Sequence, residues 1–135
     1  MKLLTMLIAS GLLAACASRS SDEELVRALI DNMETAAEAR DASDVLDLVA
    51  DDYEDAQGFD RAQLRNFLRG YFLAHPKIEL LVNIESLEFP ADGLAQAEIS
   101  VTSLALNDPD HARLKVEFRR EGSDWKVRRA DRVQP

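Results

Sequence analysis

The chain has 135 residues, a net charge of −9 at pH 7 and 47% hydrophobic residues, which suits one domain around one core. The acidic balance counts against nucleic-acid binding, because neutralising phosphates needs a cationic face. A single cysteine excludes an intrachain disulfide, so packing alone must hold the body together.

Met1-Lys2 gives a short positive start, and Leu3 to Leu13 is an apolar run broken only by Thr5, Ser10 and Gly11. That run is shorter than the about 20 residues a helix needs to cross a bilayer. It has the length of a signal-peptide core. It closes on Leu13-Ala14-Ala15-Cys16, which resembles the lipobox of bacterial lipoproteins. The resemblance implies lipidation of the Cys16 thiol, cleavage before it and acylation of the new amino end. Two acyl chains already anchor stably, and three hold firmly. A plain secretory leader with Cys16 incidental is the alternative. Ala17 in place of Asp after the cysteine points, by the same resemblance, to the outer membrane facing the periplasm. The expected division is a leader at 1–15, a lipidated spacer at 16–21 and a domain at 22–135.

Charge is spread unevenly. Residues 22–60 hold 14 acids against Arg27 and Arg40, whereas residues 111–135 hold eight bases against four acids. Such halves attract each other, within one molecule or between two.

Ser21 to Glu24 fits a capping box opening a helix. Leu25, Val26, Leu29, Ile30, Met33, Ala36 and Ala37 recur at helical spacing and predict its buried face. Asp41 can cap a short second helix carrying Val45, Leu46, Leu48 and Val49. Ala50 to Gly58 reads as an acidic loop with one short strand at Tyr53. Asp60 caps a third helix with Gln63 at N3. Its predicted buried stripe is Leu64, Phe67, Leu68, Tyr71 and Phe72, while Arg61, Arg65 and Arg69 run down another face towards acids of the first two helices. His75-Pro76 ends it.

Beyond Pro76 the apolar period changes to two. Ile78, Leu80, Val82 and Ile84 alternate, then the phase slips to Leu87 and Phe89, which implies a bulge near Glu85-Ser86. Pro90 to Gly93 turns the chain. Ala95, Ala97, Ile99 and Val101 form the next inward row, slipping to Leu104 and Leu106. Asn107 to Asp110 and Glu121 to Asp124 are turns around a strand carrying Leu114, Val116 and Phe118, and Trp125 and Val127 open the last strand. The fold class is α+β: three N-terminal helices packed in a curved, mainly antiparallel sheet of four strands plus one short one.

In this order the elements resemble the nuclear transport factor 2-like superfamily, which also holds ketosteroid isomerase and polyketide cyclases. The resemblance rests on Asp41 to Tyr53, on Gly58 with the helix from Asp60 to Ala74, and on the closing Gly122-Ser123-Asp124-Trp125-Lys126-Val127. It implies a cone with a pocket at its open end, lined here by Tyr53, Phe67, Tyr71, Val101, Phe118 and Trp125. Fold alone does not settle function in such a superfamily.

Isomerase-like chemistry needs a carboxylate base and a protonated oxygen donor inside an apolar cone. Glu79, Glu85, Glu98 and Glu117 alternate out of step with the inward rows, with Ser103 the one polar exception. No catalytic residue is therefore assigned. Asp51, Asp52, Glu54 and Asp55 match no ion-binding loop. His75 and His111 with no free thiol in the body give no zinc spacing, and no phosphate loop or nucleophile motif is present. No metal or cofactor is expected. Arg113, Lys115, Arg119, Lys126 and Arg128 read as a basic row on one sheet face, either solvated or a contact surface. The expectation is a membrane-anchored periplasmic binding or interaction module. Its partners would be a second copy, an envelope protein or a small apolar ligand. The alternatives are an isomerase- or cyclase-like enzyme using Tyr53, Tyr71 or Asp55, or a carrier holding its ligand in the cone.

Overall fold

The computed structural model describes residues 11–104 and 110–134, with side chains from Ser20 onward. Helix α1 spans Gly11–Glu38, α2 Ala42–Asp47 and α3 Arg61–Ala74. Strands β1 (Leu80–Ala91), β2 (Leu94–Ser103), β3 (Asp110–Glu121) and β4 (Asp124–Arg132) follow as an antiparallel meander in that order. The α+β class read from the sequence is the observed one.

Helix α1 does not begin at the expected Ser21 box. It runs through from Gly11, because Leu12 to Ala17 are helix formers with no breaker before Ser21. Leu25, expected on the buried face, is 44% exposed, whereas Val26, Leu29 and Ile30 are buried. The expected caps of the other helices are in place. Asp41 accepts from the Asp44 N–H, and Asp60 with Gln63 forms a reciprocal capping box.

The core forms where α1 lies in the hollow of the sheet. Val26, Leu29 and Ile30 meet Ala95, Ala97, Ile99, Val116, Phe118, Trp125 and Val127 in one cluster. Small Ala95 and Ala97 let the helix come close, and Phe118 at 1% exposure fills the centre. Bulges curve the sheet. Ile84 pairs with Ile99 and Ser86 with Glu98, leaving Glu85 as the extra residue at the place the sequence implied. The register also shifts between Glu88 and Ala91, and a further bulge, which the sequence did not signal, leaves Arg128 extra between the Glu117–Arg129 and Phe118–Val127 pairs. The expected slip at Leu104 does not occur, since β2 keeps step with β3 to Ser103. Leu106 and residues 107–109 lie outside the described residues.

The short strand expected at Tyr53 is replaced by two isolated bridges, Val49–Val127 (parallel) and Glu54–Asp60. Residues 48–54 follow the free edge of β4, with Ala50 N–H donating to Val127 O at 2.9 Å and Val127 N–H to Leu48 O at 2.8 Å. This segment shields an edge that would otherwise pair with other chains.

Arg40 holds the helices together in an unusual way. Helix α1 ends in a Schellman motif, with Asp41 N–H donating to Ala36 O and Arg40 N–H to Ala37 O. Arg40 takes the left-handed position (φ 56°) where glycine is normal. Its guanidinium donates to Phe72 O at 3.1 Å and His75 O at 3.4 Å, capping the end of α3. Arg40→Ala should therefore destabilise by about 1 kcal/mol in urea unfolding, from the lost bonds. Arg40→Gly should be near neutral, because relief of about 1 kcal/mol of backbone strain offsets the same loss.

Candidate functional site

Of the residues placed at the cone pocket by the sequence, Tyr53, Phe118 and Trp125 are buried in the central cluster, with Val101 packed against them. Phe67 and Tyr71 are elsewhere. They are 51% and 36% exposed on the outer face of α3, not in its buried stripe. Phe72 is the helix's one buried residue, and Leu64 and Leu68 are half-buried beside it. Packing of Leu64, Leu68 and Phe72 into the core clusters takes the inward side of α3, and the Arg61 guanidinium, donating to Leu46 O at 3.0 Å, lies on the side towards α2. Outside, Phe59, Phe67, Tyr71 and His75 form a ladder with ring separations of 6.1, 5.9 and 4.0 Å.

Tyr53 and Asp55 are the groups that could act as donor and base. The Tyr53 hydroxyl donates to Asp55 Oδ2 at 2.9 Å. Burial first, then the neighbouring Asp55 carboxylate, pushes the phenol well above its ordinary range, so it stays protonated. Asp55 is also tied to its own loop, its Oδ1 accepting from the N–H groups of Gln57 at 3.0 Å and Phe59 at 3.1 Å. These bonds close the loop 54–60, which turns at Gly58 (φ 82°). The loop is pinned to β4 where Ala56 N–H donates to Asp131 at 2.7 Å. The acidic loop is thus an ordered structural unit.

The basic row is dispersed. Arg113 pairs with Glu85 at 2.8 Å, and Arg119 forms a two-pronged pair with Asp52. Lys126 donates to Asp47 O, and Arg128 occupies the bulge. On the outer sheet face Glu98 lies opposite Lys115 and Glu117 opposite Arg129, which balances charge. The acidic and basic halves meet within one molecule through Asp52–Arg119 and Asp22–Arg120, the latter at 3.1 Å. Among the described residues no group of three or more His, Cys, Asp or Glu could hold a metal ion, and no helix is long and apolar enough to cross a membrane.

Comparison with solved structures decides the architecture. An NTF2-like protein of unknown function from Pseudomonas putida KT2440 has a TM-score of 0.70 at 21% identity, over 86% of this chain and 88% of that one. The fold is the NTF2-like cone. A domain of cystatin-like fold from Nostoc punctiforme agrees at TM-score 0.71 and 13% identity, over 85% of this chain and 78% of that one. A protein from Thiobacillus denitrificans, named as a calcium/calmodulin-dependent protein kinase type II association domain, matches at 0.67 and 21%, over 80% and 94%. No family profile and no curated protein sequence matches the chain.

The ion pairs give a pH signature. Ser100 and Arg113 hold Glu85 below the usual carboxylate range, and Arg119 does the same to Asp52. Depressed carboxylates stabilise above their unfolded values, and that contribution is lost as pH falls through the folded ones. Asp44 works the other way, raised chiefly by Asp41. Wild-type urea midpoints should fall between about pH 5 and pH 3, and Arg119→Met should show a shallower acid limb than wild type.

Proposed function

We propose a lipoprotein anchored through Cys16 to the periplasmic face of the outer membrane, whose NTF2-like domain works by binding at its outer surface. The observation that carries this reading is the commitment of Asp55. The carboxylate beside the buried Tyr53 phenol accepts from two backbone N–H groups and that phenol, which fixes it as part of the loop. A general base must reach the proton it takes from substrate, and this carboxylate is held in a loop clasp against its own backbone. The hydrocarbon packing around Phe118 supports the same reading.

The binding face is the exposed stripe of α3, and its occupant is a second copy of the chain. Gln63, Asn66, Phe67, Gly70, Tyr71 and Ala74 share this face and carry no formal charge. Two chains of net charge −9 meet there without opposing like charges. A Cβ at Gly70 would meet nothing within 4 Å, so a facing backbone can come close. A two-fold axis through such a patch makes it its own partner. Likeness to a protein named as an association domain fits this.

A carrier for a small apolar ligand is the second reading. It is favoured by Trp125, whose Nε1–H is buried without a partner, a deficit of about 1–3 kcal/mol that a ligand oxygen would remove.

Fractionation and complementation test the proposal together. Cys16→Ala should leave the membrane fraction or stay uncleaved. Tyr53→Phe and Asp55→Asn should each rescue a deletion strain, and Phe67→Glu should not. Failure of Asp55→Asn with Phe67→Glu fully active would favour chemistry in the cone.

A further inference from the structure

A cleft of about 250 Å³ separates α2 from α3 on the outside of the cone, away from the core cluster. Its wall carries Arg61, Arg65 and Arg69, one per turn of α3, facing Ser43, Leu46 and Asp47 of α2. Arg27, Arg113, Arg119, Arg120, Arg129 and Arg132 each sit within 4 Å of a carboxylate. Among the described residues Arg40, Arg128 and the three arginines of α3 do not, and only those of α3, against which the sequence predicts acids, gather in one cleft. Asp47 lines the cleft without reaching ion-pair distance, and its main-chain oxygen is taken by Lys126. Arg61 is fixed at the base by its bond to Leu46 O, while its Nε–H is buried with no partner.

We propose that this cleft is a binding site for a compact anion of phosphate type. Three guanidinium groups against one carboxylate leave the site net positive on a chain of charge −9. Guanidinium forks match tetrahedral oxyanions, donating two parallel N–H bonds to each. Arg65 and Arg69 supply those bonds, the Ser43 hydroxyl adds a third kind of donor, and Arg61 holds its charge in place beneath them. A partly buried cation with no counter-charge is costly, and an entering anion removes that cost. The volume exceeds one water's share of about 30 Å³ severalfold, so the anion enters with part of its hydration.

The source is a soluble ion or monoester and not a lipid headgroup. Helix α1 rises about 1.5 Å per residue, which puts its Glu38 end, next to α2, about 24 Å beyond Asp22. With the lipid at the start of α1 and the helix leading away from it, as the proposed tether has it, that exceeds the reach of a screened membrane surface, about 8 Å at physiological salt. The site itself stands independently of the tether and of self-association, while the choice of a soluble source rests on the proposed tether.

The test is calorimetric titration of the full chain in neutral detergent with inorganic phosphate, chloride serving as control at matched ionic strength. Saturable 1:1 binding is expected, with thermal unfolding raised by several degrees in phosphate alone. Arg65→Gln combined with Arg69→Gln spares the Arg61 cap and should weaken binding at least tenfold at unchanged unfolding temperature without phosphate. Asp47→Asn should tighten it. Substituting phosphatidylglycerol for neutral lipid in the micelles should leave phosphate affinity unchanged. Absence of saturable binding, or equal binding by the doubly substituted chain, overturns the site. Competition by phosphatidylglycerol overturns the soluble source and assigns the cleft to headgroups.

Discussion

Everything in this molecule depends on one contact, the seating of the Val26–Leu29–Ile30 face of α1 in the hollow of the sheet. A flat sheet would offer that helix a tangent and bury little. Glu85 and Arg128 supply the bend, each as an unpaired residue that forces its strand to curve. Ala95 and Ala97 then lower the floor, and Phe118 and Trp125 close over the helix from the far strands. The bulges bend the strands and the inward rows fill the hollow that results, so curvature here serves packing. The outer surfaces are left to meet other molecules.

The polar groups near the interior follow the same division of labour. Tyr53 and Asp55 have the identities of a donor and a base, yet their geometry is that of a loop clasp, tied onward to β4 through Asp131. Arg40 shows how far the chain goes to fasten its helices. It accepts a left-handed backbone so that one guanidinium can cap α3. The three arginines of α3 have no carboxylate at ion-pair distance among the described residues, and they line one cleft beside α2.

Features set by neighbours in sequence were legible in advance. Asp41 and Asp60 cap because a short side chain beside an apolar period can satisfy the first free N–H groups. Glu85 bulges because the apolar phase slips there. What could not be read was the rotation of α3. Leu64, Phe67, Leu68, Tyr71 and Phe72 span a broad arc, and periodicity does not say which part faces inward. In the fold Leu64, Leu68 and Phe72 take the inward part of that arc, Arg61 bonds a carbonyl of α2, and Phe67 and Tyr71 are left to solvent. The Arg128 bulge was hidden for a related reason, since Arg128 and Arg129 read alike as exposed and the phase change falls between them.

The central claim is recognition at the surface of a filled cone. Native mass spectrometry on residues 20–135, which contain the whole described core, tests it most directly. The account predicts a dimer at twice the bare polypeptide mass. A monomer carrying a stoichiometric organic adduct would contradict it, and would place the working site inside the cone beside Trp125.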